Sequence, residues 1–165
     1  TIEFIYDVDE KKFYFLEMNT RIQVEHPVTE SITNSDLVEM QIKFALGIDT
    51  NLTEQNKINR TGHAIECRLY AEDPSKNFLP SPGKISKLKI PNTNLANIRL
   101  DIGVDEGDEI SFYYDPMIAK IIAKGSTRVE SIKNMLQYLK EFEIEGINTN
   151  TVSYTHLTLP TNREV

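Results

Sequence analysis

Apolar and polar residues alternate from the start of the chain. Ile2, Phe4, Tyr6 and Val8 mark one strand, Asp9-Glu10-Lys11-Lys12 holds a turn, and residues 13–19 return with the same period of two, which predicts a β-hairpin. The period then lengthens. Leu37, Met40 and Phe44, with Val38, Ile42 and Ala45, form adjoining apolar rows. A core-packed amphipathic helix is expected over residues 33–46, opened by a Thr33/Asp36 capping box and stopped at Gly47. Residues 49–62 are polar and predict a connection, and a strand-like run covers residues 63–71. Pro74, Pro80, Pro82 and Gly83 predict an ordered loop over residues 73–83, neither helix nor sheet. Short strands are expected at residues 85–90, 98–102 and 117–123, with turns at Gly103 and Gly107. A helix over residues 128–142 carries a Thr127/Glu130 capping box and the stripe Val129, Ile132, Leu136 and Leu139. This order predicts an α+β fold without internal repeats.

Composition narrows the class. At 39% hydrophobic and 26% charged, the 165 residues match an ordinary globular protein rather than a disordered one. No apolar run approaches the roughly 18 residues of a membrane span, and no signal-peptide pattern opens the chain. The single cysteine excludes an internal disulfide framework and favours a reducing, cytoplasmic setting. The net charge of −7 argues against a nucleic-acid partner, because affinity for phosphate backbones needs clustered positive charge. Thr1 enters directly into a strand pattern, so a fragment cut inside a fold is expected.

The most informative stretch is FYFLEMNTRIQVE, residues 13–25. If it stays extended, Glu17, Asn19, Arg21, Gln23 and Glu25 share one face, and Met18, Ile22 and Val24 the other. One explanation is a solvated sheet face. The hairpin register offers another: a turn centred on Glu10 sets Val8 opposite Lys12 and Glu3 opposite Glu17. Directly opposed carboxylates repel, and with Asn19 beside them they suit a hard divalent cation, which wants oxygen ligands. Arg21 suits an oxyanion through its bidentate fork, and Glu25 is a candidate general base. Pro27 is expected to keep His26 out of helical geometry and the chain extended past Glu25. On residues 65–71, Glu66, Arg68 and Tyr70 face one way, and Arg68 beside Glu66 matches a structural ion pair. Cys67 on the apolar face is a small core residue without a catalytic pairing.

Together FYFLEMNTRIQVEHPVTE, GHAIECRLYAEDP, FLPSPGKI and YYDPMIAKIIAKG resemble biotin carboxylase, the ATP-grasp component of biotin-dependent carboxylases, from the start to about Asn150. The resemblance implies the end of an ATP-grasp domain over residues 1–60 and most of a biotin carboxylase C-terminal domain over residues 61–150. It implies a ligase that carboxylates biotin on a carrier, using ATP and bicarbonate via carboxyphosphate, within an acetyl-CoA or other acyl-CoA carboxylase. Glu3, Glu17 and Asn19 match metal positions for the Mg²⁺ or Mn²⁺ of the nucleotide, and Ile5 and Glu17 match its binding site. Arg21, Gln23, Val24 and Glu25 match the bicarbonate site, with Glu25 as base, and Arg68 matches the arginine that stabilises the biotin enolate-like anion. The family's loop between Glu3 and Glu17 is usually two residues shorter, a change that keeps both carboxylates on one face. Its glycine-rich lid and upstream nucleotide-binding lysines are not in this sequence, so the fragment alone is expected to be inactive. Implied partners are a biotin carboxyl carrier, a carboxyltransferase and a second copy of the chain. The family's dimer contact falls at residues 94–99, which depart here from the usual glycine-rich pattern. Other ATP-grasp ligases of the carbamoyl-phosphate type share the acidic ladder in outline, and a non-catalytic assembly module would keep only the C-terminal half.

The last segment departs from the family pattern. VSYTHLTLPT, from Val152, is the translation of GTC TCT TAT ACA CAT CTG ACG CTG CCG ACG, which resembles a transposon-based sequencing adaptor. Residues 151–165 are therefore expected to be a non-native read-through tail.

Overall fold

The first turn of the chain is one residue longer than expected and its register is repaired by a bulge. Strands β1 (Ile2–Asp7) and β2 (Lys12–Met18) form an antiparallel hairpin. Asp7 pairs with Lys12 and Phe4 with Phe15, but Glu3 pairs with Glu17, so Leu16 is an extra residue. Val8 lies in the turn rather than opposite Lys12. Asp7 Oδ1 accepts from the backbone N–H groups of Asp9 and Glu10, and Lys11 takes φ 52°. The computed structural model describes residues 1–48, 55–93 and 97–156, which fall into two compact units, Thr1–Arg60 and Thr61–Val165.

In the first unit the extended run ends at Met18, well short of Glu25. Helix α1 (His26–Thr33) follows, with Glu25 as N-cap and Pro27 in the first turn. The expected extended geometry past Glu25 is thus corrected. A proline in the first turn costs no hydrogen bond, because those N–H groups lack helical acceptors anyway. Helix α2 (Leu37–Ala45) starts later than expected: Asp36, not Thr33, is its N-cap and accepts from Glu39 N–H at 2.8 Å. It ends in a Schellman motif at Gly47, φ 71°, where Ile48 N–H donates to Lys43 O and Gly47 N–H to Phe44 O. Its apolar rows are present, but none of its residues is buried, so it is not core-packed. Residues 49–54 of the expected connection lie outside the described residues.

The second unit is built on an antiparallel sheet of order β3-β10-β8, from β3 (His63–Tyr70), β8 (Ile98–Ile102) and β10 (Met117–Gly125). Residues 73–83 are not wholly loop. β4 (Glu72–Asp73) pairs with β5 (Leu79–Pro80) around a 3₁₀ turn at Pro74–Lys76. β6 (Gly83–Lys84) pairs with β9 (Glu109–Ile110), and β7 (Lys87–Lys89) with β11 (Glu143–Glu145). Gly146, φ 99°, ends β11 where a Cβ would lie 2.2 Å from Lys84 O, so only glycine fits. Residues 94–96 of the expected dimer region lie outside the described residues.

Helix α3 (Arg128–Glu141) covers the sheet. Thr127 caps it by accepting from Glu130 N–H, and the Glu130 carboxylate accepts in turn from Ser126 N–H at 2.8 Å. The buried face is Ser131, Met135, Tyr138 and Leu139, and Val129 is exposed, so the helix is turned from the expected stripe. Ser131 Oγ explains the turn: it donates to His63 O at 2.9 Å. A Cβ on Gly125 would stand 2.6 Å from Ser131 N, so helix and strand meet through small residues. Leu69, Ala71, Ile118, Ile121 and Ala123 complete the core from the sheet. Helix α4 (Thr151–His156) closes the described chain, and residues 157–165 of the expected read-through lie outside it.

Candidate active site

Pairing of β1 with β2 brings Glu3 and Glu17 face to face at the open end of the hairpin. Asn19, held by its N–H to Thr1 O at 2.7 Å, reaches between them. Its Nδ2 donates to Glu3 Oε1 at 2.8 Å and to Glu17 Oε1 at 3.3 Å. The neutral amide thus sets two N–H donors against the opposed carboxylates without supplying a compensating charge. A half-turn of the amide would present its oxygen instead, giving three oxygen donors for a hard cation. The residues fit Mg²⁺. Ile5 is exposed on β1.

Arg21, Gln23 and Glu25 lie beyond the strand, yet they still come together. With His26, Thr29, Leu37, Gln41 and Phe44 they line a recess of about 540 Å³. The expected common strand face does not gather them: a bend and the start of α1 do, and they bring Ile22, expected on the opposite face, into the same recess, while Glu17 and Asn19 are not among its lining residues. Arg21 Nη1 donates to Ile22 O at 3.1 Å. Glu25 is the N-cap residue but does not cap with its side chain. Val24 is not among the lining residues and is partly exposed.

Glu30 was not singled out from the sequence. Its side chain is almost fully buried, its Oε1 lies 2.9 Å from His26 Nδ1, and the same oxygen accepts from Leu37 N–H at 2.8 Å. One carboxylate thereby joins the first residue of α1 to the first residue of α2, the two helices that wall the recess. The signal was the i,i+4 spacing of His26 and Glu30, hidden by treating the segment as extended.

In the second unit, Arg68 lies on β3 with Nε donating to Glu66 Oε1 at 3.3 Å. Burial opposes its charge, but the Glu66 and Tyr70 side chains outweigh that and raise it above the ordinary arginine value. The strand edge at Arg68 is sealed by side chains. Asn150 donates from Nδ2 to Arg68 O at 3.0 Å and accepts Tyr70 N–H on Oδ1 at 3.0 Å. Tyr154 Oη also donates to Arg68 O, at 3.1 Å. Neither side chain was singled out from the sequence, since the pairing spans about half the chain. Cys67, on the opposite face, is a core residue as expected: burial, then the charge of Glu66, push its thiol up to about 11.

Comparison with known proteins addresses the whole chain. Residues 66–162 match the model for the biotin carboxylase C-terminal domain. The chain belongs to the biotin carboxylase family. Residues 1–53 match the model for the carbamoyl-phosphate synthase L chain, ATP binding domain. The chain is 54% identical over 149 residues to biotin carboxylase 1 of Bacillus subtilis (strain 168), covering 90% of this chain and 32% of that protein. It is 50% identical over 151 residues to the mitochondrial propionyl-CoA carboxylase alpha chain of Homo sapiens, covering 91% and 20%. It thus spans about a third or less of these relatives. Among solved structures, the biotin carboxylase subunit of a pyruvate carboxylase superposes with a TM-score of 0.87 at 43% identity, over 93% of this chain and 33% of that one. The biotin carboxylase domain dimer of Hydrogenobacter thermophilus 2-oxoglutarate carboxylase, in complex with MgADP, ADP and bicarbonate, gives 0.86 at 42% identity over 93% and 33%. The α+β expectation agrees with these neighbours. No helix among the described residues is long and apolar enough to cross a membrane.

Proposed function

We propose that the chain is part of a biotin carboxylase, in which ATP activates bicarbonate and the carboxyl group passes to biotin on a carrier. The observation that carries this is the convergence of Arg21, Gln23 and Glu25 on one recess, directly after the Glu3–Glu17–Asn19 cluster. Glu3, Glu17 and Asn19 would hold Mg²⁺ or Mn²⁺, which when bound neutralises charge on the nucleotide phosphates. Ile5 stands beside the adenine. Arg21 grips bicarbonate through its planar fork, with Gln23 bounding the anion and Val24, outside the recess lining, contributing no side-chain contact to it. Glu25 takes the bicarbonate proton, so that a bicarbonate oxygen attacks the γ-phosphorus. A P–O bond forms as the bond to ADP breaks, and the resulting carboxyphosphate divides into CO₂ and phosphate. Arg68 places positive charge where negative charge develops on the carboxyl acceptor.

The partners that fit this chemistry are a biotin carboxyl carrier, a carboxyltransferase and a second copy of the chain, in the cytoplasm. A carbamoyl-phosphate-type ligase would share the first unit, but the match of residues 66–162 favours biotin as acceptor. The test is bicarbonate-dependent ATP cleavage by the complete enzyme with free biotin. Glu25→Gln and Arg21→Ala are each expected to lower it by about 10²–10⁴-fold. Unchanged rates in both variants would refute these roles.

A further inference from the structure

The sheet face that carries Arg68 holds a row of charges whose arrangement packing alone does not call for. Register sets Arg68 on β3 opposite Lys120 on β10, and Lys120 opposite Asp101 on β8. The adjacent row runs Glu66, Ile122, Arg99. Two cations directly opposed across a ladder repel each other. Lys120 is not a lysine that escapes this by reaching into water: its side chain is only 15% exposed, against 38% for Arg68. A partly enclosed ammonium carries part of the desolvation cost of a buried one. Ile122, two residues along the same strand, is buried without that cost.

The row is held by carboxylates on either side. Glu66 Oε1 takes Arg68 Nε at 3.3 Å, while Lys120 Nζ lies 3.5 Å from Asp101 Oδ2. Asp101 is itself gripped by Arg99, through Nε at 2.8 Å and Nη2 at 2.9 Å. Burial pushes Asp101 up, but Arg99 and then Lys120 hold it below the usual carboxylate range, so the anchor stays ionised at neutral pH. Arg68, Lys120 and Arg99 stand against Glu66 and Asp101, and this face carries an excess of positive charge in a chain whose net charge is −7.

We propose that Lys120 is a positioning residue for Arg68. Anchored on Asp101, its ammonium biases the opposed guanidinium toward Glu66 and adds a second positive charge behind the anion that Arg68 stabilises. The inference rests on the role given to Arg68 above and extends it to a residue with no part in that role. Its effect is that of one nearby charge in a partly screened site, about ten-fold.

Two measurements test it. In the complete enzyme, Lys120→Met is expected to lower the ratio of biotin-stimulated to unstimulated ATP cleavage about ten-fold, and Lys120→Arg to restore most of it. In the present chain, the Arg68 Nε–H resonance is expected to shift in Lys120→Met and return in Lys120→Arg. Half-saturation of that resonance by inorganic phosphate should rise by a similar factor in the methionine variant. An unchanged ratio with an unchanged resonance overturns the proposal, and so does an equal loss of stimulated and unstimulated cleavage. If the unmodified enzyme shows no bicarbonate-dependent ATP cleavage, the functional reading fails, while the resonance and phosphate titration still decide whether Lys120 governs Arg68.

Discussion

Glu30 does at one residue what the recess of the first unit requires, because its carboxylate serves both the His26 ring and the Leu37 N–H. Removing the acceptor of an enclosed N–H leaves that donor unsatisfied. Glu30→Ala is therefore expected to destabilise the α1–α2 pair by about 1–3 kcal/mol, with faster amide exchange at Leu37 as the local signature. Glu30→Gln keeps an acceptor for Leu37 and should cost less; equal protection of Leu37 in all three proteins would contradict this. That Arg21, Gln23 and Glu25 share one side was legible in the sequence, while Ile22 joining them was not. Glu3 faces Glu17 as expected, but only because two offsets cancel: the turn is centred one half-residue earlier, and Leu16 restores the register as a bulge. Pattern counting sees the alternation and not the bulge, which depends on how the hairpin twists. Asn150 was illegible for a different reason, since its worth lies in backbone groups 80 residues away, and the i,i+4 spacing of Glu30 to His26 has meaning only once the segment is a helix.

Elements with a local cause were easy to read. The Thr127 cap, the Gly47 stop and the strand runs of β3 and β10 follow from short-range chemistry, whereas the start of α2 was expected at Thr33 and falls on Asp36. Helix α1 was hidden because a residue before proline disfavours helix, although a proline in the first turn is tolerated. The two-residue strands β4, β5, β6 and β9 have no sequence period at all. The β7–β11 pair depends on charge: Lys87 bonds Glu143 and Glu145, and Lys89 bonds Glu143. Hydrogen bonds from Lys89 and then Lys87 lower Glu143 from 4.5 to about 2, and the same carboxylates raise Lys87 above its ordinary value. A depressed carboxylate contributes stability above its unfolded value and loses it as pH falls through the folded one. This clasp should accordingly persist at neutral pH and weaken between pH 4.5 and about 2. A carbon-detected titration of the Glu143 carboxyl checks it, and the midpoint should rise in a Lys87→Met/Lys89→Met double variant. A midpoint near 4.5 in the unmodified chain would show that the clasp does not form in solution.

At the scale of the whole molecule the two units differ in how they use apolar residues. The second unit buries a core between the sheet and α3 while leaving Phe112, Tyr113 and Tyr114 exposed, whereas the hairpin of the first has no such core and leaves Phe4, Val8, Phe13 and Phe15 more than half exposed. Exposed apolar surface of this extent marks contact surface. The isolated chain is expected to enhance the fluorescence of a hydrophobic dye and to self-associate as concentration rises, in sedimentation, despite its net charge of −7. Phe13→Ser with Phe15→Ser should reduce both, and a monodisperse, dye-silent parent chain would count against the exposed hairpin. Class and family were legible at this scale, because long motifs carry them; which apolar residues stay exposed, in the hairpin and at Phe112, Tyr113 and Tyr114, was not. The seal on β3 has a consequence in time. The carboxamide that closes the edge at Tyr70 lies 80 residues later in the chain. At a ribosomal pace of roughly 5–20 residues per second, the strand bearing Arg68 would wait about 4–16 s for its closing partner. Over that interval a nascent neighbour or a chaperone could compete for the same edge, so the birth order of the chain makes this strand one of the last to be secured.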